Sequence, residues 1–188
     1  MGHCPSPHVG LGLATAGDLS QPCEMSAVVR LRHADLHCRD DASALLRLLD
    51  AYAADPMGDG QGLSAEARSC LIPALRRVPG AMALLAFADD EPAGAAVCFT
   101  GFSTFRARGL INVHDLVVLP RWRGQGIGRR LIRGVESVAR ARGYCKVTLE
   151  VRADNAAALA LYRRLGFGAG TSGGEPAQYL FLEKRLLD

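Results

Sequence analysis

Two hydrophobic periods divide this chain, one of about 2 residues and one of about 3.6. Val28 alternating with Arg30 and Arg32 predicts a first strand over residues 26–32. Leu45, Leu46, Leu48, Leu49 and Tyr52 then recur at helical spacing, with Asp40, Asp41 or Ser43 as the cap. A loop over residues 55–62 leads to a second helix at 64–78, where Ser64 faces Ala67 rather than the Glu of a capping box and Glu66 favours the first turn. After Pro79-Gly80, residues 81–88 and 92–102 read as strands of a hairpin turning at Asp89-Asp90-Glu91. A β-branched run from Leu110 to Leu119 is stopped by Pro120, and a glycine-rich turn follows. Leu131, Ile132, Val135, Val138 and Ala139 carry a helix to about Arg142. Residues 145–151 read as a buried strand, 155–165 as a helix ended by Gly166, and 178–186 as a last strand beyond a glycine-rich loop. The order βααβββαβαβ predicts an α/β (α+β) domain with a mixed sheet covered by helices.

Residues 1–24 show no sustained periodicity and no basic n-region, so they read as a flexible extension, or as the product of an upstream start site, ahead of a domain at 25–188. Gly2 and Ser6 match the loose myristoylation pattern, which has meaning only where the transferase exists. At 188 residues the chain fits one domain with a real core, and 49% hydrophobic with 22% charged residues is ordinary for a protein in water. No apolar run reaches the ~18 residues of a membrane span. Six scattered cysteines without a Cys-x-x-Cys pair indicate neither a disulfide framework nor a zinc site, so no metal is expected and a reducing, cytoplasmic location is the simple reading. The net charge of +3 is mild, but Arg121, Arg123, Arg129, Arg130, Arg133, Arg140 and Arg142 gather round the glycine turn. That concentration suits a small phosphorylated ligand better than the broad basic face that nucleic acid needs.

The turn itself, Arg123, Gly124, Gln125, Gly126, Ile127, Gly128 and Arg129, places unshielded backbone N–H groups on the positive end of a helix, an anion site suited to a pyrophosphate. A P-loop would need Lys and Ser or Thr where Arg129 and Arg130 stand. A dinucleotide fingerprint would need its third glycine at Arg129, although Glu150 sits near the distance of the ribose-binding acid. A strand-to-helix connection that binds nothing is the remaining alternative.

The order Arg-x-x-Gly-x-Gly at Arg123, Gly126 and Gly128 resembles the acyl-CoA signature of the GNAT superfamily of N-acetyltransferases. Downstream, residues 146–167 resemble the second half of that family's core, with Asn155 and Tyr162 on one helix before Leu-Gly-Phe. The resemblance implies a GNAT fold, a central sheet of six to seven strands with four flanking helices and a splayed parallel strand pair. It implies direct transfer of acetyl from acetyl-CoA to a primary amine of a small molecule, without an acyl-enzyme. A protein amine (lysine or N-terminal) as acceptor, and a non-catalytic acyl-CoA sensor, stay open beside that reading. The family also makes a homodimer an expectation, though no surface for it is legible.

By the same resemblance, the main chain of Leu116, Val117 and Val118 runs beside the pantetheine arm, as an oxyanion-type donor fixed in advance by the sheet. Gly124, Gln125, Gly126, Ile127, Gly128 and Arg129 hold the pyrophosphate, with Arg129 and Arg130 near the remaining phosphate. Tyr162 is the general acid toward the thiolate, and Asn155 is a helix cap, a coenzyme contact or both. His114 and Asp115 occupy positions where spermidine/spermine-type acetyltransferases carry a Glu-Asp pair, and alternation puts them on opposite faces of their strand. An imidazole, ordinarily titrating near pH ~6.5, is a competent base there. Losing the carboxylate removes attraction for a polyamine, so the expectation is "amine" rather than "polyamine".

Overall fold

The structure is a computed structural model, which describes residues 27–168, 171–172, 175–176 and 184. Strand β1 (Val29–His33) is followed by helices α1 (Arg39–Ala53) and α2 (Ala65–Leu75), then strands β2 (Ala81–Ala88), β3 (Glu91–Ser103) and β4 (Arg108–Val118). A 3-10 turn at Pro120–Trp122 leads into α3 (Ile127–Ala141), β5 (Val147–Leu149) and α4 (Ala156–Arg164). The sheet runs β1-β2-β3-β4-β5, antiparallel except for the parallel β4–β5 pair. The mixed sheet and four helices follow the expectation, but the sheet holds five described strands rather than six to seven. The short strands β6 (Thr171–Ser172) and β7 (Glu175–Pro176) pair only with each other, and the strand expected at 178–186 lies outside the described residues, as do residues 1–24.

Two apolar layers sandwich the sheet. Leu84, Cys98, Ile111 and Val113 face α3, whose Ile127, Leu131, Ile132 and Val135 are buried, and Ala158 and Leu161 of α4, with Leu165 just past its end, join that layer. Ala83, Leu85, Ala95, Val97 and Val117 point the other way, against Leu45, Leu48 and Leu49 of α1 and Ile72 and Leu75 of α2. Each fully buried leucine contributes about 2 kcal/mol by leaving water. No helix among the described residues is long and apolar enough to cross a membrane.

Local details depart from the pattern where polar side chains have other partners. The β2–β3 turn is a two-residue one, with Asp89 at φ 47° and Asp90 at φ 69°, the left-handed pair of a type I′ turn, so Glu91 already belongs to β3. Ser64 caps α2 through the Ala67 amide at 3.1 Å. In α1 none of Asp40, Asp41 and Ser43 is the cap: the helix begins earlier, behind Cys38, because Asp41 is drawn inward. Its carboxylate is fully buried, paired with the Arg32 guanidinium and accepting the Asp35 amide at 2.9 Å. Burial alone would raise its pKa, but the Arg32 hydrogen bond and the Asp35 amide outweigh it and hold the carboxyl below the usual range.

Asp41→Ala therefore strands Arg32 and the Asp35 amide. It should cost about 2 kcal/mol in denaturant unfolding, a modest figure because Arg32 is half exposed. Since the folded pKa is depressed, the contribution is full above the unfolded value of about 3.9 and is lost as pH falls through the folded one. The gap between wild type and variant should narrow below about pH 4.

Candidate active site

One extra residue shapes the site. Strand β4 pairs Asp115 with Val97 and Val113 with Cys98, so His114 has no partner across the ladder and forms a β-bulge. The bulge shifts the phase of the strand: Val113 and Leu116 both face α3, while Asp115 shares the α1 face with Val97. His114 lies on that same face, its ring edge-on to Phe99 with centroids 5.4 Å apart. The expectation that His114 and Asp115 occupy opposite faces is thus corrected, because alternation fails across a bulge. His114 is exposed and Asp115 half-buried. Burial pushes the Asp115 carboxyl up, with His114 opposing the rise.

Beyond the bulge the sheet opens. The parallel ladder joins only Ile111–Val113 to Val147–Leu149, leaving Leu116, Val117 and Val118 without a β5 neighbour. The Leu119 amide bonds to the Ala93 carbonyl at 2.9 Å, which sets the phase of the β3–β4 ladder. Val117 therefore turns its main chain toward β3, and Leu116 and Val118 turn theirs into the opening. The Val118 carbonyl confirms the phase by accepting from Arg123 Nε at 3.0 Å.

At the end of that strand, Gly124 at φ 80° and Gly126 at φ 78° adopt the left-handed backbone that other residues resist. Nothing lies within 4 Å of where a Gly124 side chain would start. Gly126 caps α3 without any side-chain bond, and no described acceptor meets the amides of Gly124, Gln125, Gly126, Ile127, Gly128 or Arg129. An open row of donors on a helix N-terminus fits the diphosphate of coenzyme A. Ile127 is buried beneath the row, and Gly128 abuts Leu161 of α4. Arg129 leans over Gly126, whereas Arg130 reaches the Val29 carbonyl at 3.1 Å, away from the turn. The Arg123 side chain is engaged by Val118 and by Asp55, 2.6 Å from its Nη2.

Tyr162 approaches the opening from α4. Its ring packs against Phe167 at 5.8 Å, and burial, with Tyr52 adding to it, pushes the phenol up to about 12, so it stays protonated at any physiological pH. Asn155 caps α4, its Oδ1 accepting the Ala158 amide at 3.0 Å, with no partner for Nδ2 among the described residues. Tyr52, which the pattern assigned only to the apolar stripe of α1, was missed as a site residue. Burial raises its phenol, and Asp115, Asp55 and Asp59 add to the rise against Arg152. Tyr52 thus stands near both Asp115 and Tyr162, where the two faces of the sheet meet through the opening. Its one sequence signal is an aromatic at the end of α1 beside the acidic loop.

A parallel pair that opens, an open amide row on the next helix and a buried tyrosine across the gap define an α/β domain with an anion-binding turn beside a cleft. The chain belongs to the acetyltransferase (GNAT) family, whose profile matches residues 42–167. It is 54% identical over 56 residues to the N-alpha-acetyltransferase RimI of Mycobacterium tuberculosis, covering 30% of this chain and 34% of that protein. It is 34% identical over 102 residues to a thialysine N-epsilon-acetyltransferase of Bos taurus, covering 52% and 54%. The matched region thus spans from about a third to about half of the length of these relatives. A ribosomal-protein-alanine N-acetyltransferase structure from Brucella melitensis shares the fold, with a TM-score of 0.63 at 21% identity over 83% of this chain and 100% of that one.

Gly126→Ala would force an alanine into left-handed backbone, at a cost of about 1 kcal/mol, and tilt the amide row. Calorimetry should show acetyl-CoA affinity falling about five- to tenfold, with a stability loss no larger than that strain. Unchanged affinity would remove the turn from the site.

Proposed function

We propose that this protein transfers the acetyl group of acetyl-CoA directly to a primary amine of a small molecule. The observation that carries this reading is the row of open amides at residues 124–129, adjoining the strand opening at Leu116 and Val118 and faced by a protonated tyrosine. The amides of the turn hold the diphosphate, and the main chain of Leu116 and Val118 runs along the pantetheine. A strand amide there meets the thioester oxygen, a donor already in place where negative charge develops. His114 and Asp115, together on the α1 face, accept the proton that the attacking amine gives up, directly or through water. As the carbon–nitrogen bond forms and the carbon–sulfur bond breaks, Tyr162 gives its phenolic proton to the departing thiolate and recovers one from solvent. Asp59 and Asp115, whose charges act on the neutral Tyr52, put negative charge on the acceptor side, which favours a cationic amine.

A second reading is supported by the 54% local identity to an N-alpha-acetyltransferase: the acceptor is then the amino terminus of a protein. A panel of small amines and N-terminal peptides, with thiol release as readout, separates the two. The first reading expects turnover on small amines without peptide, and turnover confined to peptides would replace it.

Tyr162→Phe should lower kcat by about 10- to 1000-fold while acetyl-CoA affinity stays within about twofold, since only the proton is lost. His114→Ala should displace the pH dependence of kcat/KM. A superimposable profile would assign the base to Asp115 alone, whose raised pKa makes activity fall as the pH drops through it.

A further inference from the structure

The loop between α1 and α2 is fastened almost entirely to its own helices. Asp50 Oδ1 accepts from the Leu63 amide at 2.9 Å and from Arg68 Nε at 3.1 Å. The amides of Asp59 and Gln61 donate to the Ala53 carbonyl at 3.1 and 3.3 Å, and Asp55 accepts the Met57 amide at 2.9 Å. Gly58 sits so close to the Tyr52 carbonyl that any side chain there would collide with it. A loop tied in this way moves as one piece with the end of α1.

Among the described residues, one side-chain hydrogen bond links that piece to anything outside α1 and α2. It runs from Arg123 Nη2 to Asp55 Oδ2 at 2.6 Å, and the Asp55 side chain is only 11% exposed. The same guanidinium holds the Val118 carbonyl through Nε, and Arg123 immediately precedes Gly124, where the amide row begins. Arg123 therefore touches the last residue of the opened strand, the coenzyme turn and the loop that carries Asp59 beside Tyr52. An interaction supported at both ends and shielded at the carboxylate is stronger than an ordinary surface pair. The Arg123 hydrogen bond, followed by the Met57 amide, holds the Asp55 carboxyl below the usual range, so the pair stays ionised near neutrality.

From this geometry we propose that the Asp55–Arg123 pair is a positioning latch that couples the coenzyme turn to the acceptor loop. Filling the turn fixes Arg123, Arg123 fixes Asp55, and residues 54–63 are steadied over the opening before the amine enters. The identity of what the loop covers rests on the acetyl-transfer reading above, whereas the coupling is a property of the two segments themselves. If the pair served only to stabilise the fold, coenzyme would not change the loop's local opening.

Amide hydrogen exchange on the full chain, with and without saturating acetyl-CoA, tests the latch, using the nearly isosteric Asp55→Asn and also Arg123→Gln. In wild type, residues 54–63 should exchange about tenfold more slowly with acetyl-CoA bound. In Asp55→Asn they should exchange fast in both conditions, and acetyl-CoA affinity should fall by up to about the same tenfold, because what the coenzyme does to the loop the loop does to the coenzyme. The amine KM should rise about tenfold with a smaller change in kcat. The double variant should show loop exchange no faster than the worse single one, since both changes break one contact. A wild-type loop indifferent to acetyl-CoA, or an Asp55→Asn loop that still slows on binding it, overturns the proposal. Slowing in wild type that is lost in Asp55→Asn, in a protein that acetylates no amine, would keep the latch and remove the acetyl-transfer reading.

Discussion

The site exists because β4 carries one residue more than its partner can match. With His114 left over, Val113 and Leu116 turn to the same side and the strand bends away from β5, whose ladder stops at Leu149. A continuous sheet would have consumed the main-chain groups of Leu116 and Val118 in a further row of hydrogen bonds. Those groups instead face an opening, and the opening brings the α1 face, with Asp115 and Tyr52, near Tyr162 on the α4 side. Both apolar layers are complete around this point, so the cost of the lost ladder is offset elsewhere by burial of α1 and α3.

The electrostatics divide along the same line. One end of the opening presents donors: open amides on the dipole of α3, with no carboxylate among the described residues hydrogen-bonded to them. The other presents carboxylates, of which Asp55 is paired with Arg123 and Asp115 is half-buried and raised. The arrangement suits an anionic ligand at one end of the cleft and a cationic one at the other. Tyr162, kept neutral by burial, stands between the two ends and adds no charge.

Periodicity located the five strands of the main sheet and the four α-helices, because buried stripes such as Leu131, Ile132 and Val135 leave a direct trace in sequence, whereas the short β6–β7 pair fell in what read as a glycine-rich loop. The glycine turn was equally legible, since Gly124 and Gly126 meet a backbone requirement that few residues satisfy. Features depending on two distant segments were not. Asp41 looked like a cap, as an aspartate near a helix start does, and only Arg32 arriving from β1 explains why it is buried instead. The shared face of His114 and Asp115 follows from a bulge, which a single strand's alternation cannot reveal. Arg123 was read as part of a phosphate motif, and the structure adds its contacts to Asp55, 68 positions away, and to Val118. Tyr52 was hidden by being a good core residue as well.

The account stands on the turn at residues 124–129 being the place where coenzyme A is held. Backbone amide resonances followed during an acetyl-CoA titration test it directly. The largest shifts should fall on Gly124, Gln125, Gly126, Ile127, Gly128 and Arg129, with a second group at Leu116 and Val118. A titration that leaves those amides unmoved, whether through absence of binding or through binding elsewhere on the protein, would contradict it.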